Sequence, residues 1–130
     1  MPLQGAYLSA CSILERLACL RSGGKGATAE GKELSITDKI KDLANYTSLL
    51  RAAEVEHGQE ELRLPEIIRA DGRKAPGSTT FDFQKLLVRW YEIRSNLLHQ
   101  GKSSFRDYEI LWSPTKDMIR VLSRFVASKE

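Results

Sequence analysis

A regular apolar pattern between positions 83 and 97 constrains the fold of this chain more than any other feature. Apolar side chains recur there after three or four residues, at Phe83, Leu86, Trp90, Ile93 and Leu97. This spacing places all of them on one face of an α-helix. The segment is therefore predicted to be a long amphipathic helix that ends near Gly101, because glycine commonly terminates helices.

Two earlier segments carry the same kind of pattern. From Leu3 to Leu17, apolar residues are separated by four, three, four and three positions, which predicts a helix of about five turns. A further apolar stripe runs from Ile36 to Leu50, directly after Ser35. Serine is a favoured N-cap, so a second helix is predicted to begin there.

The intervening segments give weaker signals. Residues 22–31 and 71–78 are rich in glycine or in turn-forming residues, so both are predicted to be loops. Residues 64–69 are expected to form one or two helical turns that start at a proline. Residues 105–112 fit a short strand or an extended segment. Ser113 and Pro114 then suit the N-cap and first position of the last helix.

Length and composition indicate one soluble globular domain, residues 1–130. The chain is 42% hydrophobic and 28% charged, which is ordinary for such a domain. The four or five predicted helices indicate an all-α helical bundle. The net charge of +3 permits nucleic-acid binding without arguing for it. We find no apolar run long enough to cross a membrane and no signal-peptide pattern, so a cytoplasmic location is expected.

The two cysteines, one of the histidines and the two tryptophans are expected to be structural. Cys11 and Cys19 lie roughly 12 Å apart along one predicted helix, too far for a disulfide, and are expected to be reduced and buried. Their spacing from the two histidines matches no zinc site. His57 is expected at the surface, and Trp90 and Trp112 are expected in the core or at an interface.

The chemically informative feature is the string from Tyr91 to Lys102, Tyr-Glu-Ile-Arg-Ser-Asn-Leu-Leu-His-Gln-Gly-Lys. Arg94 is a permanent cation whose planar fork binds phosphate oxygens, and His99 can exchange protons near neutral pH. Phosphoryl chemistry on RNA uses both. On an ideal helix the two residues lie about 140° apart. They would therefore meet at one phosphate only if the helix unwinds near its end or if two copies pair.

The string resembles the R-x4-6-H signature of the HEPN superfamily, which contains many metal-independent ribonucleases. The resemblance implies an all-α, HEPN-like bundle of four to five helices that pairs as a two-fold homodimer. It implies RNA cleavage without a metal or cofactor, leaving 2′,3′-cyclic phosphate and 5′-hydroxyl ends. The settings it implies are toxin–antitoxin pairs and phage defence, so an antitoxin partner belongs to the same expectation.

The resemblance also implies roles for individual residues. His99 would be the general acid or base, and Arg94 would stabilise charge on the phosphoryl oxygens. The family often has Asn, Asp or His directly after the arginine. This chain departs from that pattern with Ser95, followed by Asn96, and both join the candidate catalytic set. Lys102 and Arg106 are the candidate substrate-binding residues, through contacts with phosphate.

Two other hypotheses remain open at this point. The chain fits a non-catalytic helical interaction module, cut from a larger protein, because fold and function separate easily. It also fits a domain that binds a nucleotide or another small ligand in the same cleft. In either case Arg94 would cap carbonyl groups or pair with a glutamate such as Glu92 or Glu109, and His99 would merely complement the helix dipole.

Overall fold

The computed structural model describes residues 3–21, 35–68, 72–78, 81–100 and 105–128, with the backbone alone at residues 99, 100 and 105–110. Five α-helices account for most of them: α1 (Leu3–Arg21), α2 (Ile36–Asp42), α3 (Thr47–Gln59), α4 (Phe83–Gln100) and α5 (Phe105–Ala127). A 3-10 turn at Leu43–Asn45 follows α2. Two short strands, β1 (Ile67–Ile68) and β2 (Lys74–Ala75), precede α4. The prediction of an all-α helical bundle is confirmed.

The predicted apolar stripes form the core of this bundle. All five stripe residues of α4 are buried, and Tyr7, Ala10 and Leu14 of α1 are buried with them. Helix α1 packs against α2, α4 and α5, while α3 packs against α5 and α2 against α4. Burial of apolar area is the main favourable term in folding, so the three-four pattern specifies which face of each helix turns inward.

Side-chain caps set where two helices begin. Ser35 has an extended backbone, and its Oγ accepts a hydrogen bond from the Asp38 amide at 3.1 Å, which confirms the predicted N-cap of α2. Asp82 does the same before α4, where its Oδ1 accepts from the Lys85 amide at 3.2 Å. Each cap satisfies an amide that has no partner within the helix.

The stripe from Ile36 to Leu50 is not one continuous helix. After the 3-10 turn at 43–45, Tyr46 is extended, and α3 then begins at Thr47. The Tyr46 ring packs edge-on against Phe125 of α5, with ring centroids 5.3 Å apart. This contact with a distant helix favours the break, which local spacing alone does not reveal.

The predicted start of the last helix at Ser113–Pro114 is wrong, as are both alternatives for residues 105–112. Helix α5 begins at Phe105 and continues through Pro114, which lies inside it. An internal proline removes one backbone hydrogen bond and costs about 3 kcal/mol. Leu111 and Met118 on either side are both buried, so packing along the whole helix offsets that cost.

The expected helical turns at 64–69 are also wrong. Ile67 and Ile68 pair antiparallel with Ala75 and Lys74, and a further bridge joins Leu64 to Ser78. We call this two-stranded segment, residues 64–68 with 72–78, the ribbon. Isoleucine favours strands, and Gly72 takes a positive φ of 87° at the turn, a conformation that glycine adopts without strain.

Two smaller expectations are resolved, and one lies outside the described residues. Cys11 is buried as expected, but Cys19 is exposed, so that part of the expectation is wrong. Trp90 lies in the core, whereas Trp112 is 64% exposed. The loop expected at residues 22–31 lies outside the described residues. Among the described helices, none is long and apolar enough to cross a membrane.

Candidate functional site

Arg94 lies on the side of α4 that faces α1. Its Nε is 2.6 Å from Oε1 of Glu15, and the two side chains are 26% and 25% exposed. The guanidinium also lies over the Tyr91 ring, 5.2 Å from its centroid, and donates to the Tyr91 hydroxyl at 3.5 Å. Arg94 is therefore held by a carboxylate and an aromatic face while about a quarter of it stays open to solvent.

The glutamate that the structure shows paired with Arg94 is thus Glu15. Glu15 Oε1 is buried and accepts no hydrogen bond from the residues that the structure describes. The contact between Glu15 and Arg94 is therefore an ion pair whose buried oxygen depends on the guanidinium charge. Desolvated pairs of this kind are costly to break from one side only.

Two further side chains of α1 fasten the turn of α4 that precedes Arg94. The Tyr7 hydroxyl donates to the backbone carbonyl of Trp90, and Cys11 Sγ contacts the same oxygen at 3.9 Å. Burial raises the pKa of the Cys11 thiol to about 12, although Tyr7 and Arg94 act to lower it. Cys11 is therefore a neutral packing residue and no nucleophile, because the thiolate is the reactive form.

Asn96 faces the ribbon on another side of α4. Its Nδ2 donates to the Ile68 carbonyl at 3.1 Å. Arg89, two turns earlier, is buried and donates to the carbonyls of Pro65 and Pro76, the latter at 3.1 Å. Both side chains satisfy carbonyl oxygens of the ribbon, so Asn96 and Arg89 attach the ribbon to α4.

The remaining predicted residues lie towards the end of α4 and beyond. Ser95 is half-buried, and α4 is helical through His99 and Gln100, although nothing is described of those two side chains. Lys102 lies outside the described residues. Arg106 belongs to α5, but its side chain is not described. The predictions for Lys102 and Arg106 as substrate contacts therefore stay predictions.

The unbroken course of α4 decides between the two routes by which Arg94 and His99 were expected to meet. A regular helix separates their Cα atoms by about 9 Å and by about 140° around its axis. Because α4 does not unwind before Gln100, its backbone leaves the two residues on different sides of the helix. The pairing of two copies is the route that stays a prediction.

His57 has a structural role, so its expected surface position is corrected. Its Nδ1 accepts a hydrogen bond from the Leu62 amide at 3.2 Å, and its ring stacks on Phe81 with centroids 4.5 Å apart. His57 is half-buried between α3 and the segment that enters α4. His57 is therefore held by structural contacts, and His99 stays the predicted catalytic histidine.

A second charged cluster joins α3 to α5. Glu56 is 7% exposed and accepts hydrogen bonds from Arg120 at 2.7 Å and from Arg124 at 2.6 Å. Glu60 pairs with Lys116 at 2.7 Å. The hydrogen bond from Arg124 is the main cause that lowers the pKa of Glu56, so this carboxylate is ionised and structural.

Sequence reasoning missed Glu15 and Tyr91 as neighbours of Arg94. One signal was present for Glu15: it lies four residues after Cys11 and eight after Tyr7, on the same side of α1. Which helix that side faces depends on packing that no local pattern encodes. Tyr91 precedes Arg94 by three residues on α4, a spacing at which helical side chains commonly meet.

Comparison with protein-family models, with curated proteins and with solved structures found no match for this chain. Among the described residues, no group of three or more His, Cys, Asp and Glu side chains is placed to hold a metal ion. The string at the end of α4 and its surroundings are therefore the candidate site.

Proposed function

We propose that this protein is a metal-independent endoribonuclease of HEPN type, which cuts RNA at a site shared between two copies of the chain. The observation that carries the proposal is the Arg94–His99 pair at the end of α4, within a string that resembles the R-x4-6-H signature. The all-α bundle agrees with the fold that this resemblance implies.

The proposed reaction is an internal transesterification. The 2′-hydroxyl of one nucleotide loses its proton to a base, and its oxygen attacks the adjacent phosphorus. The bond from phosphorus to the 5′-oxygen breaks, and that oxygen takes a proton from an acid. The products are a 2′,3′-cyclic phosphate and a 5′-hydroxyl, with no oxidation or reduction.

This reaction needs a base and an acid together, and imidazole serves as either near neutral pH. With His57 engaged by Leu62 and Phe81, each chain contributes one histidine, His99. Two copies related by a two-fold axis would supply both. The same symmetry would bring Arg94 towards the His99 of the other copy and remove the 140° separation within one helix.

Arg94 has the chemistry for the charged part of this mechanism. Its guanidinium is held on one side by Glu15 and Tyr91, so little freedom is lost when phosphate binds to the exposed part. A preorganised cation beside the developing phosphorane charge typically contributes a factor of about 10² to 10³ in kcat. The proposal also includes an antitoxin partner, which would cover the shared site.

A second candidate function is a non-catalytic interaction module. Trp112, Ile119 and Val126 of α5 are exposed by 64%, 47% and 59%, and they recur every seven residues. Such spacing places them on one side of the helix, where an apolar strip fits a partner protein. In that case Arg94 and Asn96 have only their observed structural contacts, to Glu15 and to Ile68.

The deciding experiment compares wild type with His99→Ala, purified in parallel and incubated with mixed cellular RNA, including tRNA, in EDTA. Wild type is expected to release fragments with cyclic phosphate and 5′-hydroxyl ends, and His99→Ala is expected to release none. Circular dichroism and sedimentation check that both proteins are folded and in the same oligomeric state. Equal activity in both preparations, or a folded but inactive wild type, contradicts the proposal and favours the interaction module.

A further inference from the structure

An open cleft of about 470 Å³ lies beside α4, on a different side from Arg94. Lys41 of α2 lines one wall, and the ribbon at Pro76–Ser78 lines the other. The floor is α4 itself, through Gln84, Lys85, Val88, Arg89 and Glu92. Its volume is within the range of about 300–1,000 Å³ that is typical of ligand sites.

The face of α4 that lines the cleft is the face on which position 99 lies. Val88 and Glu92 line the cleft, and the spacings from Val88 to Glu92, Ser95 and His99 are four, three and four residues. This is the repeat of a single helix face. The same face of α4 therefore runs for two turns beyond Glu92, up to the histidine that the proposed reaction uses.

The charges around the cleft favour an anionic ligand. Two exposed lysines, Lys41 and Lys85, stand on different helices and line the same space, together with the guanidinium-bearing Arg89. Among the described lining residues, Glu92 is the acidic one. Lysine suits phosphate as a mobile point charge, whereas Arg89 already donates to ribbon carbonyls and shapes the wall.

We infer that this cleft binds the sugar–phosphate backbone of single-stranded RNA and guides it to His99, with Lys41 and Lys85 as the phosphate contacts. This inference rests on the proposed function for the identity of the polyanion. Among the described residues that line the cleft, none is aromatic, so the described lining offers bases no ring to stack on. Binding at the cleft is therefore electrostatic and tolerant of sequence.

The test uses the His99→Ala protein, so that RNA is bound without being cut. The probe is a fluorescein-labelled single-stranded RNA of mixed sequence, and binding is followed by anisotropy between low and high salt. The perturbation is Lys41→Gln with Lys85→Gln. The matched control is Lys39→Gln with Arg51→Gln, because Lys39 shares α2 with Lys41 and neither control residue lines the cleft.

Each phosphate contact contributes about 0.7 to the slope of log affinity against log salt for single strands. Loss of both lysines should reduce the magnitude of this slope by about 1.4. Between 1 M and 0.1 M salt, the affinity of the double variant should therefore rise about 25-fold less than that of the protein with both lysines. The control pair should leave the slope unchanged. An equal loss in both double variants, no loss in either, or no RNA binding at all overturns the inference.

The same substitutions in the protein with intact His99 separate this inference from the proposed function. Cleavage that is insensitive to Lys41→Gln and Lys85→Gln, beside normal activity of the control pair, overturns the cleft assignment and leaves the ribonuclease proposal standing. Lysine-dependent binding in a wild type that never cleaves RNA overturns the ribonuclease and supports the cleft as an RNA site.

Discussion

The ion pair between Arg94 and Glu15 gives the sharpest test of how Arg94 is held. The perturbation is a double-mutant cycle with Arg94→Met, which keeps the apolar stem, and Glu15→Gln, which keeps the shape of the carboxylate. The Nε–Oε1 distance is 2.6 Å, and both side chains are about three-quarters buried. The burial of this pair is thus between that of exposed pairs, which stabilise by about 0.2–1 kcal/mol, and that of buried pairs, which cost about 3–5 kcal/mol to break.

These limits predict a coupling energy of about 1–1.5 kcal/mol. Arg94→Met should cost about 2 kcal/mol by itself, because Glu15 Oε1 is buried and loses its positive neighbour. Glu15→Gln should cost less, about 1 kcal/mol, since the guanidinium keeps its contact with the Tyr91 ring. For a chain of this length, each kcal/mol lowers Tm by about 3–5 °C.

Urea unfolding followed by circular dichroism measures all four corners of the cycle. A coupling energy below about 0.3 kcal/mol would show that the pair adds no more than a solvated surface contact and would refute the placement of Arg94 against α1. Arg94→Lys adds a functional arm to the same experiment. Lysine keeps the charge but lacks the planar fork, so stability should stay close to wild type while RNA cleavage falls by about 10²-fold. Cleavage that changes only in proportion to stability would mean that Arg94 is purely structural.

Two further predictions concern the rest of the molecule. Glu56→Gln should lower the unfolding free energy by about 2–3 kcal/mol at pH 7, because it weakens hydrogen bonds from Arg120 and Arg124 to a buried carboxylate. The pKa of Glu56 is lowered in the folded state. The loss of unfolding free energy in the variant should therefore be full above about pH 5 and should shrink as pH falls through that lowered pKa. A loss that does not depend on pH in urea titrations would contradict the ion-pair explanation. Iodoacetamide at pH 8 should label Cys19 in the folded protein and Cys11 only after unfolding, as judged by peptide mass spectrometry, because Cys11 is buried with a pKa of about 12. Rapid labelling of Cys11 under native conditions would contradict its packing beneath α4.

Three different faces of α4 contact three different parts of the molecule. Its apolar face enters the core, the side that carries Arg94 meets α1, and the side that carries Asn96 meets the ribbon. The cleft lined by Lys85 lies along its polar side. The proposed reactive position at the end of this helix suits precise placement, because packing fixes the rotation of the whole helix.

Local pattern was sufficient for α1 and α4 and for one cap. The three-four spacing from Phe83 to Leu97 predicted both α4 and its buried face, and Ser35 predicted the start of α2. These features depend on interactions within a few residues, which the order of the amino acids encodes directly. The separation of Arg94 from His99 around α4 also followed from the helical repeat alone.

Tertiary structure decided what local pattern could not. Ser113–Pro114 is a typical helix start, yet α5 passes through it because the buried residues on both sides belong to one continuous packed face. The pairing of the ribbon, and with it the wall of the cleft, joins residues about ten positions apart through backbone hydrogen bonds.

Tertiary structure also decided which residues surround the candidate site. The sequence determined that Arg94 and His99 lie at the end of one helix, because the helical repeat needs only local order. The packing of α1 on α4 decided that Arg94 meets Glu15, nearly eighty positions away. The packing of α2 on α4 decided that Lys41 and Lys85 line the same cleft. Such contacts depend on the mutual fit of whole helix faces, and no single segment of the chain contains that information.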